Sequence, residues 1–334
     1  YSIIGAMKSN QATINGTTSL FTEWSLSLPS DISITAGVGV SNMNIELDNR
    51  LYAAANNKPS GGKPMHYDIS YDKMVSPHFA INKVFNSSLS AYASYSKGYK
   101  APVGSNIVIS TTGVLNTGLK PEIGNQFEIG TKGSLIDSKL NYQVALFDAV
   151  FSDKMTSVAV PLNGMTTAYT YIANGGKQDN KGLEVSVNYN AYQSATGFFS
   201  SFRPFANFTY SDFNYKDFSY QRIVAGQPVT EDYSGNAVAG VSPMVANVGV
   251  DFFANAGFYG NVNYSYKDAM PITSDGTLKT SSYSLANAKI GYHHLLSKHF
   301  DLDTYFGANN ITGEQYYYMA FINQLPDAYI PAPN

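Results

Sequence analysis

The chain predicts an all-β fold: an antiparallel transmembrane β-barrel meander, with short periplasmic turns on one rim and long extracellular loops on the other. Three observations carry that expectation. Apolar and polar residues alternate through about a dozen runs of strand length. The joints between runs alternate between very short and very long, which suits an outer-membrane barrel. Only 13% of residues are charged, yet aromatics reach 14%, with 26 tyrosines; an ordinary soluble protein carries about 25% charged residues.

The runs fall near residues 17–28, 31–42, 67–84, 88–98, 123–135, 138–152, 179–190, 200–213, 243–255, 258–268, 282–294 and 299–311. In the first, Leu20, Thr22, Trp24, Leu26 and Leu28 oppose Phe21, Glu23, Ser25 and Ser27. In the second, Ile32, Ile34, Ala36, Val38 and Val40 oppose Ser33, Thr35, Gly37, Gly39 and Ser41. Later runs repeat the pattern: Leu140, Tyr142, Val144 and Leu146; Leu183, Val185, Val187 and Tyr189; Ala286, Ala288, Ile290 and Tyr292. Each apolar set is expected to face lipid, and the polar set between its members to face a lumen. Closure of the sheet is what satisfies backbone groups inside hydrocarbon.

The short joints include Pro29-Ser30-Asp31, Phe85-Asn86-Ser87-Ser88, Ile136-Asp137-Ser138 and Asn255-Ala256-Gly257. The long ones run roughly 43–66, 100–122, 153–178, 214–240 and 270–281. No segment has a capped 3.6-residue period, so helix content should be minimal. A mean hydropathy of −0.17 and the absence of any long apolar run exclude a membrane helix. A soluble β-sandwich is the alternative that also alternates. Its strands, however, are usually about 5–6 residues long, and its loops are not systematically long at one end.

The net charge of −3 argues against a nucleic-acid partner. With no cysteine, disulfide frameworks, thiolate metal sites and cysteine nucleophiles are excluded. The chain opens at Tyr1 with no signal segment, so it is expected to be a mature chain or an internal piece. No linker divides it.

Several segments carry a family resemblance. Tyr95-Ser96-Lys97-Gly98-Tyr99-Lys100-Ala101-Pro102 resembles the S-x-G-[FY]-[RK]-A-P strand end of TonB-dependent outer-membrane receptors. Asn116-Thr117-Gly118-Leu119-Lys120-Pro121-Glu122 is similar to their N-P-x-L-K-P-E loop, and Glu128-Ile129-Gly130-Thr131-Lys132 to their E-x-G-x-K strand. Asn174-Gly175-Gly176 with Gly182-Leu183-Glu184 resembles their N-x-G and G-[VL]-E pair. Phe306 to Ile311 with Gln315-Tyr316-Tyr317 resembles their ending. The motifs come in the family's order and cover roughly Met74 to Tyr318.

The resemblance implies a 22-stranded barrel around an N-terminal plug, of which this chain would be a fragment of about 12 strands, near strands 10 to 21. The plug with its TonB box, the first strands and the last strand would be missing. It also implies residence in the Gram-negative outer membrane, no enzymatic activity, and import of a scarce chelate, most often a ferric siderophore, energised by the TonB complex. The partners implied are TonB, the chelate and the lipid bilayer; no cofactor is implied. The rival readings are a passive or autotransporter-type barrel and an extracellular glycan-binding or adhesion module.

Ligand capture needs aromatic surface and a few placed polar groups. Of three arginines, Arg50 and Arg222 fall in outer loops, where guanidinium suits an anionic chelate; the plain alternative is a loop charge paired with Asp48 or Asp232. Arg203 falls near a periplasmic turn. Loop aromatics Tyr169, Tyr171, Phe218, Tyr220, Tyr316, Tyr317 and Tyr318 could stack on an aromatic ligand or simply form the outer belt. His293 and His294 are adjacent on a strand, so they point to opposite faces and cannot easily share one ion. Met43, Met65, Met155, Met165, Met270 and Met319 read first as packing filler. Asp301 and Asp303 share a face, expected inward. Gly61-Gly62 and Gly175-Gly176 precede no helix, so phosphate-cradle readings fail.

Overall fold

A computed structural model describes residues 11–49, 66–109, 114–162, 166–224, 227–322 and 329–331. Twelve long strands follow one another in a single sheet: β1 (Gln11–Leu28), β2 (Ile32–Asn49), β3 (His66–Asn86), β4 (Leu89–Lys100), β5 (Glu122–Leu135) and β6 (Leu140–Ser152), then β7 (Lys177–Tyr189), β8 (Phe199–Lys216), β9 (Met244–Ala254), β10 (Phe258–Lys267), β11 (Tyr283–Ser297) and β12 (Phe300–Ala308). Each pairs antiparallel with its sequence neighbour, which makes the sheet an uninterrupted meander. Tyr192–Gln193 adds a short pairing at the start of β8. All twelve expected runs are strands. β2 continues to Asn49 and β8 to Lys216, beyond the ends at 42 and 213 that alternation indicated.

Register decides which face each residue takes, because cross-strand partners share a side. Ile129 of β5 pairs with Leu146 of β6, and Leu146 with Leu183 of β7. This row lies on the face that also carries Leu20, Trp24, Phe79, Val248, Val262 and Ile290. These side chains are exposed: Leu20 is 78% accessible and Trp24 62%. Among the described residues no second layer covers them, as it would in a sandwich. So large an uncovered apolar face fits acyl chains as its solvent.

The inner face is polar with large rings lying over glycines. Tyr92 covers Gly130, Phe147 covers Gly182, Phe205 covers Gly249 and Tyr259 covers Gly291, each glycine being the ring's cross-strand partner. A ring over a glycine restores packing that the missing side chain forfeits. Between the rings runs a chain of amides. Asn287 donates to Asn263 (3.0 Å), Asn263 to Asn261 (2.8 Å) and Asn261 to Asp251 (2.7 Å). Arg203 lies on this inner face, its guanidinium 4.5 Å from the centre of the Phe253 ring.

The two rims differ in their backbone chemistry. Short turns use left-handed residues, including Ser30, Asp31, Ile136, Asp137 and Ser138. Gly257 (φ 95°) sits where any side chain would meet the His293 carbonyl. Long connections were expected as open loops, but they carry structure of their own. Met155–Leu162 pairs with Thr166–Asn174, Ser219–Val224 with Gln227–Asp232, Val108–Ile109 with Val114–Leu115, and Tyr317–Ala320 with Tyr329–Pro331. A single helical turn spans Gly104–Ile107. The reason is backbone accounting: segments this long, when packed together, must pair their own N–H and C=O groups.

Candidate functional site

The long connections lock to one another in sequence order and build a continuous outer rim. It begins where the Gly104–Ile107 turn packs on β1 and β2, with Ile45, Leu47 and Ile107 fully buried. The Tyr71 hydroxyl donates to the Leu119 carbonyl at 2.9 Å, tying the 101–121 connection to β3.

Asn174 fastens that connection to the next. Its Oδ1 accepts the Lys120 N–H (2.9 Å), while its Nδ2 donates to the carbonyls of Lys120 (3.0 Å) and Asp153 (2.6 Å). Asn116 donates to the Ile172 carbonyl at 2.7 Å. Beside them Glu122, only 4% exposed, accepts the Met155 N–H at 2.6 Å. The Lys154 and Lys100 ammoniums lie 3.4 and 3.7 Å from the same carboxylate.

The rim continues through a small apolar core. Tyr215 and Phe218 stack with centroids 4.3 Å apart, and Val238 completes the cluster. The Phe218 ring lies against Gly175, and the Asp217 carbonyl against Gly176 (φ 100°), where a methyl group would collide with it. The Tyr215 hydroxyl reaches Ser274 Oγ (3.2 Å), and the Gly240 N–H donates to the Pro271 carbonyl (2.7 Å), joining the 217–243 and 268–282 connections. Within the latter, burial pushes the Asp275 carboxyl up, but hydrogen bonds from Thr273 and Thr277 outweigh it and hold its pKa below the usual value. Last, Tyr316 stacks on Tyr283 with centroids 4.7 Å apart.

The residues expected to touch ligand distribute as follows. Arg50 lies outside the described residues, as do Gly61, Gly62, Met65 and Met165. Tyr169 and Tyr171 are in one hairpin, opposite Val160 and Val158; Tyr220 and Arg222 are in another, opposite Glu231 and Val229. The two hairpins are neighbours, since Ser219–Val224 lies against Met155–Leu162. The rim therefore brings those four positions to one sector, while Tyr316 and Tyr317 sit in another, beside β11. Tyr171 is half-buried and Tyr317 exposed.

Phe218 is a correction. Sequence placed it among the stacking candidates, yet it is 3% exposed, because its ring is the core that lets the 217–243 connection fold. Asp48 is engaged with His66 Nδ1 at 2.7 Å, and Asp232 accepts from Ser234. Asp303 and Asp301 do face inward, where Tyr259 donates to the first (2.6 Å) and His293 lies 2.9 Å from the second. His294 faces the other way and stacks on Tyr292. No group of three or more metal-binding side chains is assembled among the described residues. Sequence reasoning missed Lys154 and Tyr283, and it singled out Lys100, Glu122 and Asn174 only as motif residues, without the contacts they make. The signal for Lys100 and Glu122 was present: they flank one long connection at the mouths of adjacent strands.

The family description "TonB dependent receptor-like, beta-barrel" matches residues 2–311. The chain belongs to the TonB-dependent receptors. Among solved structures, the ferric-catecholate import receptor Fiu from E. coli K12 matches with a TM-score of 0.70 at 18% identity, over 97% of this chain and 44% of that one. The siderophore receptor PiuA from Acinetobacter baumannii matches at 0.68 and 17%, over 96% and 42%. The ferric yersiniabactin uptake receptor FyuA from Yersinia pestis matches at 0.66 and 17%, over 96% and 44%. At such identities the likeness is one of fold, and the chain spans under half the length of these structures. TonB-dependent receptors are transporters of the Gram-negative outer membrane, not enzymes. The motifs that resembled the family have a physical role here: Asn116, Leu119, Lys120, Glu122, Asn174 and Gly175 are the fasteners of the rim.

Proposed function

We propose that this chain is part of a TonB-dependent receptor that captures a scarce chelate, most plausibly a ferric siderophore, and imports it with energy supplied through the TonB complex. The observation that carries this reading is the rim itself. Connections fastened to one another beside a polar inner face form a prebuilt surface, which spares the ordering entropy that free loops would lose on binding. In this reading Arg50, Arg222, Tyr169, Tyr171, Tyr220, Tyr316 and Tyr317 supply ligand contacts: cations for an anionic chelate, rings for stacking. The twelve strands form one part of a larger, 22-stranded barrel around a plug. Support comes from the unpartnered edges of β1 and β12 among the described residues and from the share of the matched structures that the chain spans.

Cells expressing the whole receptor should take up radiolabelled ferric siderophore, and uptake should cease when TonB is deleted or the proton gradient is collapsed. Uptake of cobalamin or a glycan with no iron phenotype would overturn the siderophore assignment. Uptake that survives loss of TonB would point to a passive barrel.

A further inference from the structure

The amide chain on the inner face does not stop at the sheet. Its head is the Asn310 N–H, in the connection that follows β12, which donates to Asn287 Oδ1 at 2.9 Å. Asn287 passes the bond on to Asn263, Asn263 to Asn261 and Asn261 to Asp251. Every step has the same sense, from the connection toward the β9 carboxylate. Asn287 with Asn263, and Asn261 with Asp251, are direct cross-strand partners, and the middle step runs along β10.

The two ends dictate that sense. A backbone N–H only donates and a carboxylate only accepts, whereas an asparagine amide offers an oxygen on one side and an NH2 on the other. Turning one of the three amides over sets donor against donor at one contact and acceptor against acceptor at the next, so the three orientations are a single choice. The head belongs to a connection, while Asp251 belongs to a strand paired on both sides. The carboxylate is therefore the fixed end. Arg203, its partner across β8, carries its guanidinium over Phe253, and Asp251 Oδ1 serves Asn261.

The head of the chain holds a turn. Asn310 has a left-handed backbone (φ 52°), as has Gly313 (φ 68°). Asn310 Nδ2 donates to the Glu314 carbonyl and its Oδ1 accepts the Glu314 N–H, both at 2.9 Å. The Ile311 N–H donates to the Ala286 carbonyl at 2.8 Å. Just beyond Glu314, Tyr316 stacks on Tyr283. An Asn287 amide turned over would face the partly buried Asn310 N–H with its own NH2 and leave that donor unsatisfied, which is costlier than the bond is worth.

We infer that Asp251 is a positioning residue for ligand capture: by fixing the sense of the chain through Asn261, Asn263 and Asn287, it holds the Asn310–Glu314 turn that sets Tyr316 against Tyr283. The inference rests on the proposed receptor function only where it counts Tyr316 as a ligand contact. Asp251 itself touches no ligand.

The test uses the whole receptor in lipid nanodiscs. Hydrogen exchange is read on the segment 308–316, and capture is read with two probes, a ferric tris-catecholate and a ferric trihydroxamate. Asp251→Leu should speed exchange in that segment roughly fivefold, the size of one hydrogen bond's net contribution, and weaken the probe that the wild type binds by a similar factor. Asn263→Leu, which cuts the chain midway, should do the same. The two together should do no more than either alone, because both break one chain. Asp251→Glu, which keeps the acceptor, should stay near wild type. Asp251→Asn keeps the shape but admits both orientations, and should give a weaker form of the same change should leucine disturb the strand. Additive effects, or faster exchange confined to β9 and β10, would overturn the inference. Faster exchange at 308–316 with unchanged capture would overturn the positioning role while the receptor reading stands. A wild type that captures neither probe would overturn the receptor reading, and with it this role for Tyr316.

Discussion

His66 shows how one side chain can make the outer surface sensitive to pH. It opens β3, well beyond the stretch that crosses hydrocarbon, and its Nδ1 lies 2.7 Å from Asp48. On the same side of the ribbon, Glu46 and Asp68 are cross-strand partners, a like-charge pair that costs stability by itself. The hydrogen bond to Asp48 raises the imidazole pKa above 6.5; desolvation opposes it, and the fields of Asp48, Glu46 and Asp68 add to it, so the balance is upward. A group whose pKa is higher folded than unfolded binds protons more tightly when folded. Its contribution is therefore complete below about 6.5, its unfolded value, and fades as pH rises through the higher folded value. Protection of the outer β2–β3 amides from hydrogen exchange should fall across that window in the whole receptor, and His66→Ala should remove the dependence. A pH-independent exchange profile in the wild type would show that the pair does no structural work.

At the scale of elements, two substitutions separate what the membrane demands from what the chain demands. Leu146 is 50% exposed in the middle of β6, with Ile129 and Leu183 beside it on the outer face. Arginine there should cost about 2–4 kcal/mol if that face meets the bilayer centre, whereas Leu146→Met should be nearly neutral. Urea unfolding of the receptor in lipid vesicles measures both, and equal effects would mean the face is not in lipid. Gly257 tests the turn instead. Alanine there would need a left-handed backbone and would press on the His293 carbonyl, so it should destabilise by more than about 1 kcal/mol, where Ala256→Gly in the same turn should not. These elements also show what sequence could disclose. The β1 alternation of Leu20, Thr22, Trp24 and Leu26 was legible because acyl chains impose it residue by residue. The burial of Phe218 was not, because its partners Tyr215 and Val238 lie across a connection whose folding no local pattern records. The same holds for Lys154, which meets Glu122 only after β5 and β6 have paired.

For the molecule as a whole, the decisive feature is that its sheet ends in two edges. β1 has β2 on one side and nothing described on the other, and β12 likewise has only β11. β1 runs for 18 residues, so its free side presents a long row of unpaired backbone donors and acceptors. In hydrocarbon each unsatisfied group costs several kcal/mol, and in water such an edge recruits other strands. Closing twelve strands on themselves would join β1 to β12, but β12 has 9 residues and could pair with only half of β1. The expected outcome follows from that mismatch. Produced alone, this chain should fail to form a compact, heat-modifiable monomer in detergent and should instead associate through its edges. The whole receptor should migrate as a folded monomer before heating. Crosslinks between cysteines placed at Thr22 and Thr304 give the complementary measurement. They should be absent in the folded receptor if further strands stand between the two edges. A monomeric, heat-modifiable product from this chain alone, with that crosslink present, would mean that the twelve strands close on themselves and that the larger barrel is wrong.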